Sequence, residues 1–367
     1  MRTITRVAAA IVIAAAAGVA GLAGAQVPAG YPADYKSIAE GAKKEGKVVV
    51  YSTTDAKLVS PLLKDFEAAF PGIKIEYTDL NSTEVYNRFI SENAASAASA
   101  DVVWSSSMDL QMKLAADGQA MIYKSPEENA LPAWAHFKDM VYATTFEPIA
   151  IVYNKRLVTP DEVPKTHADL VKLLTTKAEK FQNKVTAYDP EKSGVGFMLA
   201  NQDAKLDPAF WELVKVLGAR SLKVQSSTGT MLERVSSGEN LIGYNVLGSY
   251  ALTRAKKDPS MGVQFTTDYN LVLSRLAFVS KNAKNPNAGK LFLDYLLSKR
   301  GQTISSEQLE LYSVRNDATG RASGVAFAKE LGSAVRPIAV SNDLLLGLDQ
   351  TKRLEFLKQW QTTLARK

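Results

Sequence analysis

The hydrophobic pattern of the first third of the chain alternates between two periods. Residues 47–51 form a β-branched apolar run, which predicts a strand buried on both faces. The apolar positions within residues 58–70 recur at helical spacing and predict an amphipathic helix. Residues 73–77 alternate apolar and polar, and an apolar run, residues 102–104, follows Asp101, so two further strands are expected. Strands that alternate with helices indicate a parallel sheet covered by helices on both faces.

Two long extended stretches, residues 141–154 and 270–279, separate this α/β pattern from a second one. Two α/β units joined by two extended crossings predict an α/β protein with two lobes and a two-stranded hinge. Each lobe is expected to hold a mixed, mostly parallel sheet flanked by helices. The predicted division is lobe 1 at 33–147 with 275–310 returning to it, lobe 2 at 148–274, and C-terminal helices at 311–367 packing across both.

The N-terminus has the layout of a secretory signal peptide. Arg2 and Arg6 precede an apolar stretch over residues 7–23, and Ala23-Gly24-Ala25 forms a small-x-small cleavage site. The apolar stretch is short and alanine-rich for a membrane span, which needs about 20 strongly apolar residues. Residues 1–25 are therefore predicted to be a cleaved signal peptide, which implies a periplasmic location.

Composition narrows the function classes. The formal net charge is +6, but the basic residues form no block that could follow a phosphate backbone, so nucleic acid is not an expected partner. Cysteine is absent, which excludes disulfides and thiolate metal sites. The only histidines, His136 and His167, lack the spacing of metal ligands. We expect a monomer without a metal or cofactor.

Several segments together resemble the family 1 extracellular solute-binding proteins of ABC importers. They are residues 45–52, 66–73, 100–104, 151–154 and 285–298, and they occur in the family's order. The similarity is closer to the ferric-iron-binding branch of periplasmic binding proteins of type II. The resemblance implies a clamp that closes on one solute and delivers it to a permease and an ATPase at the inner membrane.

The residue after Tyr244 bears on which solute is expected. Ferric binders of this branch present two adjacent tyrosines in the second lobe, whereas here Asn245 follows Tyr244 and the next tyrosine is Tyr250. Other members of the branch bind phosphorylated sugars, aminoethylphosphonate and similar anions. The resemblance therefore implies a small anionic ligand, either a phosphorylated or phosphonate compound or an organic acid. A ferric-ion site that uses Tyr244 and Tyr250 is the alternative.

Runs of hydroxyl side chains follow two predicted strands of the first lobe. They are Ser52, Thr53 and Thr54 after the first strand, and Ser105, Ser106 and Ser107 after the third. Ligands of such sheets bind outside the carboxyl ends of the strands, and hydroxyls beside the free N–H groups of a helix start form an anion site. The same residue types also favour simple helix capping. The resemblance favours the ligand interpretation.

The second lobe supplies a further set of candidates. Asp189, Ser193 and Gly194 lie in a strand–turn–helix segment, where glycine permits a close backbone approach and Ser193 adds a donor. This segment is predicted to cradle an oxyanion, and a plain turn with a helix cap is the alternative. Tyr244 and Asn245 are candidate polar contacts in the same lobe.

One charged residue interrupts each hinge stretch, Glu147 in the first and Arg275 in the second. A guanidinium in an apolar segment needs a partner. A ligand phosphate or carboxylate would serve, and so would an internal salt bridge to Glu147 or exposure on an edge strand. Glu147 could instead contact a cationic or hydroxyl part of the ligand, so both are candidate ligand-binding residues.

An enzymatic function is the remaining class. A periplasmic hydrolase or lyase could use carboxylates such as Asp55, Asp101 or Glu147, but they form no recognisable catalytic constellation. We therefore expect a binding protein and not an enzyme.

Overall fold

A computed structural model describes residues 31–318, 320 and 322–365. The predicted signal peptide lies outside these residues. The strands are β1 Lys47–Ser52, β2 Lys74–Asp79, β3 Val102–Ser105, β4 His136–Phe137, β5 Val141–Ala143, β6 Glu147–Asn154, β7 Val185–Tyr188, β8 Lys223–Gln225, β9 Ile242–Leu247, β10 Met261–Phe265, β11 Asn270–Leu273, β12 Leu276–Val279 and β13 Val335–Pro337.

Helices fill most of the intervening chain. They are α1 Tyr35–Glu45, α2 Ala56–Ala69, α3 Ser82–Ala94, α4 Met108–Ala116, α5 His167–Thr176, α6 Ala178–Phe181, α7 Gly194–Leu206, α8 Phe210–Ala219, α9 Thr228–Ser236, α10 Gly248–Ala255, α11 Pro286–Leu297, α12 Lys299–Leu309, α13 Gly324–Leu331 and α14 Gln350–Ala365. None of these helices combines the length and apolar character needed to cross a membrane.

The first sheet has the strand order β2-β1-β3-β12-β5-β4. Strand β1 pairs in parallel with β2 and β3, and β12 returns antiparallel between β3 and β5. The apolar side chains of β1 and β3 are buried beneath α2, α3 and α11, which explains their β-branched sequences. This sheet and its helices form lobe 1.

The second sheet has the order β13-β11-β6-β9-β7-β8, with β10 paired to β6. Strand β7 pairs in parallel with β8 and β9, and β6 runs antiparallel to β9. Helices α5 and α8 cover part of it through a core that includes Leu170, Leu174 and Leu217. Two mixed α/β sheets in two lobes confirm the predicted fold class.

Each extended stretch predicted at the hinge consists of two strands that belong to different sheets. The first divides between β5 and β6, and the second divides between β11 and β12. The chain therefore passes between the lobes at residues 144–146 and again at residues 274–275. A pattern of apolar residues cannot show this change of sheet, because both halves of each stretch are buried.

The C-terminal segment touches both lobes. Phe356 and Trp360 of α14 pack with Phe197 and Phe210 of lobe 2. The short 3₁₀ helix Asn342–Leu348 contacts α4 of lobe 1. The segment was predicted as helices, but it also contributes β13, which pairs in parallel with β11 and extends the second sheet.

Candidate ligand-binding cleft

A cavity of about 370 Å³ lies between the two lobes. Lobe 1 contributes Thr53, Asp55, Asp79, Leu80, Asn81, Ser82, Glu84 and Ser106, and lobe 2 contributes Tyr188, Val195, Ser226, Ser227, Thr228, Gly229, Leu247 and Tyr250. These residues lie mainly where strands end and helices begin, so the position of the cavity follows the rule for open α/β sheets.

Two of the six predicted hydroxyl residues of lobe 1 line the cavity. Thr53 follows β1 and Ser106 follows β3, and these adjacent parallel strands bring their ends together. The Thr53 hydroxyl accepts a hydrogen bond from Ser106 N at 2.9 Å and donates to Ser106 Oγ at 3.1 Å. The pair presents two linked hydroxyls to the cavity.

The other four hydroxyl residues are buried behind this pair. Three of them, Ser52, Ser105 and Ser107, hold the loops in shape, whereas the Thr54 hydroxyl has no hydrogen-bond partner among the described residues. Ser52 Oγ accepts from Thr54 N at 3.1 Å, and Ser105 Oγ accepts from Ser107 N at 3.2 Å. Ser107 Oγ donates to Asp109 at 2.8 Å. These are bonds within the loops, and none of them is a side-chain cap of α2 or α4.

Three carboxylates also line the lobe 1 side, and two of them, Asp79 and Glu84, were not among the sequence candidates. Asp79 accepts from Ala56 N at 2.9 Å at the start of α2, and Glu84 accepts from Asn81 N at 3.0 Å in the capping box of α3. All three carboxylate side chains are exposed. The capping-box spacing of Asn81 and Glu84 is a sequence signal that marks this helix start.

The wall contributed by lobe 2 carries hydroxyls without carboxylates. Ser226 and Ser227 precede α9, and Ser227 Oγ caps the helix by accepting from Thr230 N at 3.2 Å. Thr228, the first residue of α9, shares a close hydrogen bond with the Tyr188 hydroxyl. This Ser-Ser-Thr run has the same signature as the two runs chosen in lobe 1, and it could have been found in the same way.

The segment with Asp189, Ser193 and Gly194 lies where the lobes meet. Asp189 accepts from Glu191 N at 2.9 Å in a turn, and Ser193 caps α7 by accepting from Gly196 N at 3.2 Å. A Cβ placed on Gly194 would come within 2.8 Å of Ser107 Oγ in lobe 1. Glycine here permits contact between the lobes, while the next residue, Val195, lines the cavity.

Tyr244 and Asn245 lie in the interior of lobe 2, away from the cleft. Both donate to the buried carboxylate of Asp203, the hydroxyl of Tyr244 at 2.8 Å and Nδ2 of Asn245 at 2.6 Å. Burial raises the pKa of Tyr244, and the neighbouring Asp203 raises it further. Both residues border a separate small cavity beside His167.

The iron alternative needs Tyr244 and Tyr250 to converge on one ion, and the structure does not bring them together. Tyr250 lines the cleft, where its hydroxyl donates to Asp55 Oδ1 at 3.1 Å and burial raises its pKa to about 12. The Tyr244 hydroxyl instead donates to Asp203 in the interior of lobe 2. Among the described residues, no group of three or more histidine or acidic side chains could hold a metal ion.

Arg275 and Glu147 pair with each other at the hinge, and both side chains are fully buried. Arg275 Nε lies 2.9 Å from Glu147 Oε1, and one terminal nitrogen donates to Oε2 at 3.2 Å. The other terminal nitrogen donates to the Thr53 carbonyl at 3.1 Å. Neither residue lines the cavity, so the internal salt bridge is the alternative that the structure shows.

A two-lobed α/β protein with a polar cavity at the interlobe strand ends has the architecture of a solute-binding clamp. Residues 61–327 match the family described as bacterial extracellular solute-binding protein. The chain belongs to this family, as the resemblance predicted. An uncharacterized protein of Haemophilus influenzae is 23% identical over 301 residues, which cover 79% of this chain and 84% of that protein.

Solved structures agree with this assignment. The substrate-binding protein of an ABC transporter from Agrobacterium tumefaciens is 37% identical with a TM-score of 0.84, over 87% of this chain and 94% of that one. The fructose-6-phosphate-bound AfuA from Actinobacillus pleuropneumoniae has a TM-score of 0.71 at 19% identity, over 87% and 98%. Iron-bound HitA from Pseudomonas aeruginosa has a TM-score of 0.70 at 18% identity, over 86% and 99%.

The last two likenesses show the fold alone. The family match and the Agrobacterium relative confirm the predicted class: the protein is a solute-binding component of an ABC transporter, which takes a small molecule as ligand and transporter subunits as partners.

Proposed function

We propose that the cleft captures a small solute with an anionic group, either a phosphorylated or phosphonate compound or an organic acid. The observation that supports this most is the start of α9 in the lobe 2 wall, where Ser226, Ser227, Thr228 and Gly229 line the cavity together. The first amides of a helix have no acceptor within the helix and carry its partial positive charge, so they favour an anion.

The two walls differ in charge, and this difference supports a proposed orientation of the solute. In lobe 1, Asp55, Asp79 and Glu84 already place negative charge beside the starts of α2 and α3, which compensates the positive ends of those helices. A second anion there would be repelled. We therefore propose that the anionic group faces α9 and that hydroxyl or amino groups of the solute face the carboxylates of lobe 1.

Closure completes the proposed site. Contacts between the lobes already flank the cavity: Val195 N donates to Ser82 Oγ at 3.2 Å, and Asp55 N donates to the Tyr250 hydroxyl at 3.1 Å. A solute that touches both walls favours the closed arrangement by the contacts that it makes only there. In this proposal, the closed form delivers the solute to the permease.

The test is a thermal-shift screen of phosphate esters, phosphonates and carboxylates, followed by calorimetric titration of any positive. We expect at least one anion to raise the melting temperature, because a ligand that binds only the folded state stabilises it. Ferric ion, included as a probe, should produce no visible tyrosinate band. A screen in which only cations or uncharged solutes stabilise the protein would exclude the anionic class.

A matched pair of capping variants locates the anionic group. Ser227→Ala removes the cap of α9 in the cleft, and Ser298→Ala removes the equivalent cap of α12, whose hydroxyl accepts from Gly301 N at 3.1 Å. Both should lose about 1 kcal/mol of stability. Only Ser227→Ala should also weaken binding of the anion identified in the screen. We expect the affinity to fall by about tenfold, which corresponds to ~1.4 kcal/mol of binding free energy. Equal affinities in the two variants would place the anion elsewhere.

The proposal extends to the state of the protein in the cell. We propose a monomer that is exported by its signal peptide, works in the periplasm and performs no catalysis. Mass spectrometry of the periplasmic form should give an N-terminus near Gln26, and light scattering should give the mass of one chain. An uncleaved N-terminus or a stable dimer would contradict these points.

A further inference from the structure

The two crossings between the lobes are joined to each other by a dense set of buried hydrogen bonds. Thr144 N donates to the Arg275 carbonyl at 2.9 Å, and Arg275 N donates to Thr145 Oγ1 at 2.8 Å. Ser274 Oγ donates to the Thr145 carbonyl at 2.5 Å. The backbone of Arg275 is thus held at the hinge, whatever its side chain contacts.

The Arg275 side chain reaches from the hinge toward the lobe 1 wall. Its guanidinium donates to the carbonyl of Thr53 at 3.1 Å and lies 3.3 Å from the Thr53 hydroxyl. That hydroxyl is the one that bonds Ser106 in the cavity wall. Burial acts to lower the pKa of Arg275, but the adjacent Glu147 carboxylate outweighs it and the pKa is raised, so the side chain remains charged.

Glu147 reaches in the opposite direction, into lobe 2. Its Oε2 accepts from Ser249 Oγ at 2.5 Å, and its Oε1 accepts from Thr145 Oγ1 at 2.9 Å. Ser249 lies in the first turn of α10, next to Tyr250, whose ring centroid is 5.5 Å from the Arg275 guanidinium. A continuous polar connection therefore runs from the lobe 1 wall through the hinge to the helix that carries Tyr250.

We propose that the Arg275–Glu147 pair is the positioning element of the hinge, which holds Thr53 and Tyr250 across the cleft and favours the arrangement in which the lobes touch. A buried ion pair is costly to desolvate and adds little net stability, and in some proteins it serves to fix one geometry. Here that geometry joins the walls of both lobes. We expect separation of the lobes to break at least one link of this connection, from Arg275 to Thr53, from Arg275 to Glu147 or from Glu147 to Ser249.

The test measures the separation of the lobes without any ligand. The native chain contains no cysteine, so Asn87→Cys on α3 and Glu233→Cys on α9, both exposed, give one spin label on each lobe. In this background, Arg275→Met should shift the distance distribution measured by pulsed electron paramagnetic resonance to longer distances. Arg275→Lys should shift it less, because an ammonium keeps the charge but cannot bridge Glu147 and Thr53 as a planar fork does.

The matched control is Arg315→Met, which breaks the pairs from Arg315 of the C-terminal segment to Glu127 of lobe 1 and to the neighbouring Asp317. The Arg315 and Glu127 side chains are 8% and 13% exposed. This variant should lower the melting temperature without changing the distance between labels. Ser249→Ala is a milder change that removes one hydrogen bond to Glu147, and it should lengthen the distance between the labels slightly. The Ser249→Ala variant is the deciding test if Arg275→Met does not fold.

The proposal is overturned if Arg275→Met folds with unchanged distances, if Arg315→Met shifts them equally, or if Ser249→Ala has no effect when Arg275→Met cannot be purified. Because no ligand is added, these outcomes are independent of whether the cleft takes an anion.

Discussion

The two walls of the cleft use the same structural device with opposite electrostatics. In both lobes a buried strand ends at the cavity, and a helix begins there with polar side chains. In lobe 1 the helix starts at α2 and α3 have carboxylates from Asp79 and Glu84, whereas in lobe 2 the start of α9 has only hydroxyls from Ser227 and Thr228. This difference is why we propose that an anionic group of the ligand faces the start of α9.

A hydroxyl-rich helix start therefore indicates the edge of a sheet, but it does not predict whether a positive or a negative ligand group binds there. Thr53 and Ser106 in lobe 1 have the signature of an anion site, yet Asp55 lies two residues from Thr53 in the same wall. The sum of the charges that converge in space decides the preference. Two predictions test this comparison of the walls, and a third concerns a buried carboxyl group outside them.

The largest effect on binding is expected from Gly194→Val. The new side chain would meet Ser107 and Leu110 of lobe 1, since even a Cβ would lie 2.8 Å from atoms of both. The walls could then no longer approach each other, and we expect calorimetry to show the affinity for the anion found in the screen falling by about 100-fold.

Gly320→Val is the control for this variant, because no atom lies within 4 Å of a Cβ at Gly320. It should bind as the parent protein does. Full affinity in Gly194→Val would mean that the ligand is held by one wall alone.

A smaller effect of opposite sign is expected from Asp55→Asn in the lobe 1 wall. Removing this exposed carboxylate lowers the repulsion of a simple anion, so affinity for inorganic phosphate should rise by about two- to fivefold. Glu355→Gln on the exposed face of α14 controls for net charge and should leave phosphate binding unchanged. A fall in phosphate affinity would show that Asp55 does not repel the anion.

The smallest effect on ligand affinity is expected from replacing Asp294, a carboxyl group that does not line the cavity. Asp294 in α11 is buried, which raises its pKa to about 7 even though Tyr35, Tyr123 and Ser125 donate hydrogen bonds to it. In the unfolded chain its pKa is about 3.9. Between these two pKa values the folded state keeps a proton on Asp294 that the unfolded chain has lost. The contribution of Asp294 to the free energy of unfolding is therefore full below about pH 4 and is lost as the pH rises through about 7.

Urea unfolding at several pH values measures this change in stability. Asp294→Asn should flatten the decline between pH 4 and pH 7 and should leave ligand affinity at pH 7 unchanged. A variant with the same pH slope as the parent protein would show that Asp294 does not titrate in this range.

Local patterns predict the elements and the class of this protein well. The β-branched run of β1, the helical spacing of α2 and the order of the family's segments all act over short stretches of chain, where apolar periodicity and turn chemistry dominate. The position of Thr53 and Ser106 at the cavity could also be predicted from the sequence, because neighbouring parallel strands end at the same edge of the sheet.

The remainder of the cleft depends on which residues distant in sequence meet. Tyr244 is a polar residue at a strand, as Tyr188 is, but Asp203 of α7 draws Tyr244 into the interior of lobe 2, and Tyr188 lines the cavity. Asp79 lies at a strand end without any motif, and only the pairing of β1 with β2 brings it to the start of α2.

The amino-acid sequence by itself determined a two-lobed α/β solute-binding protein, because period, capping and motif order are properties of contiguous residues. Only the tertiary structure decided which side chains line the cavity, and it left Arg275 and Glu147 joined to each other at the hinge. The physical reason is that a buried charge takes whichever partner the fold brings within a few ångströms, and that partner here is 128 residues away along the chain.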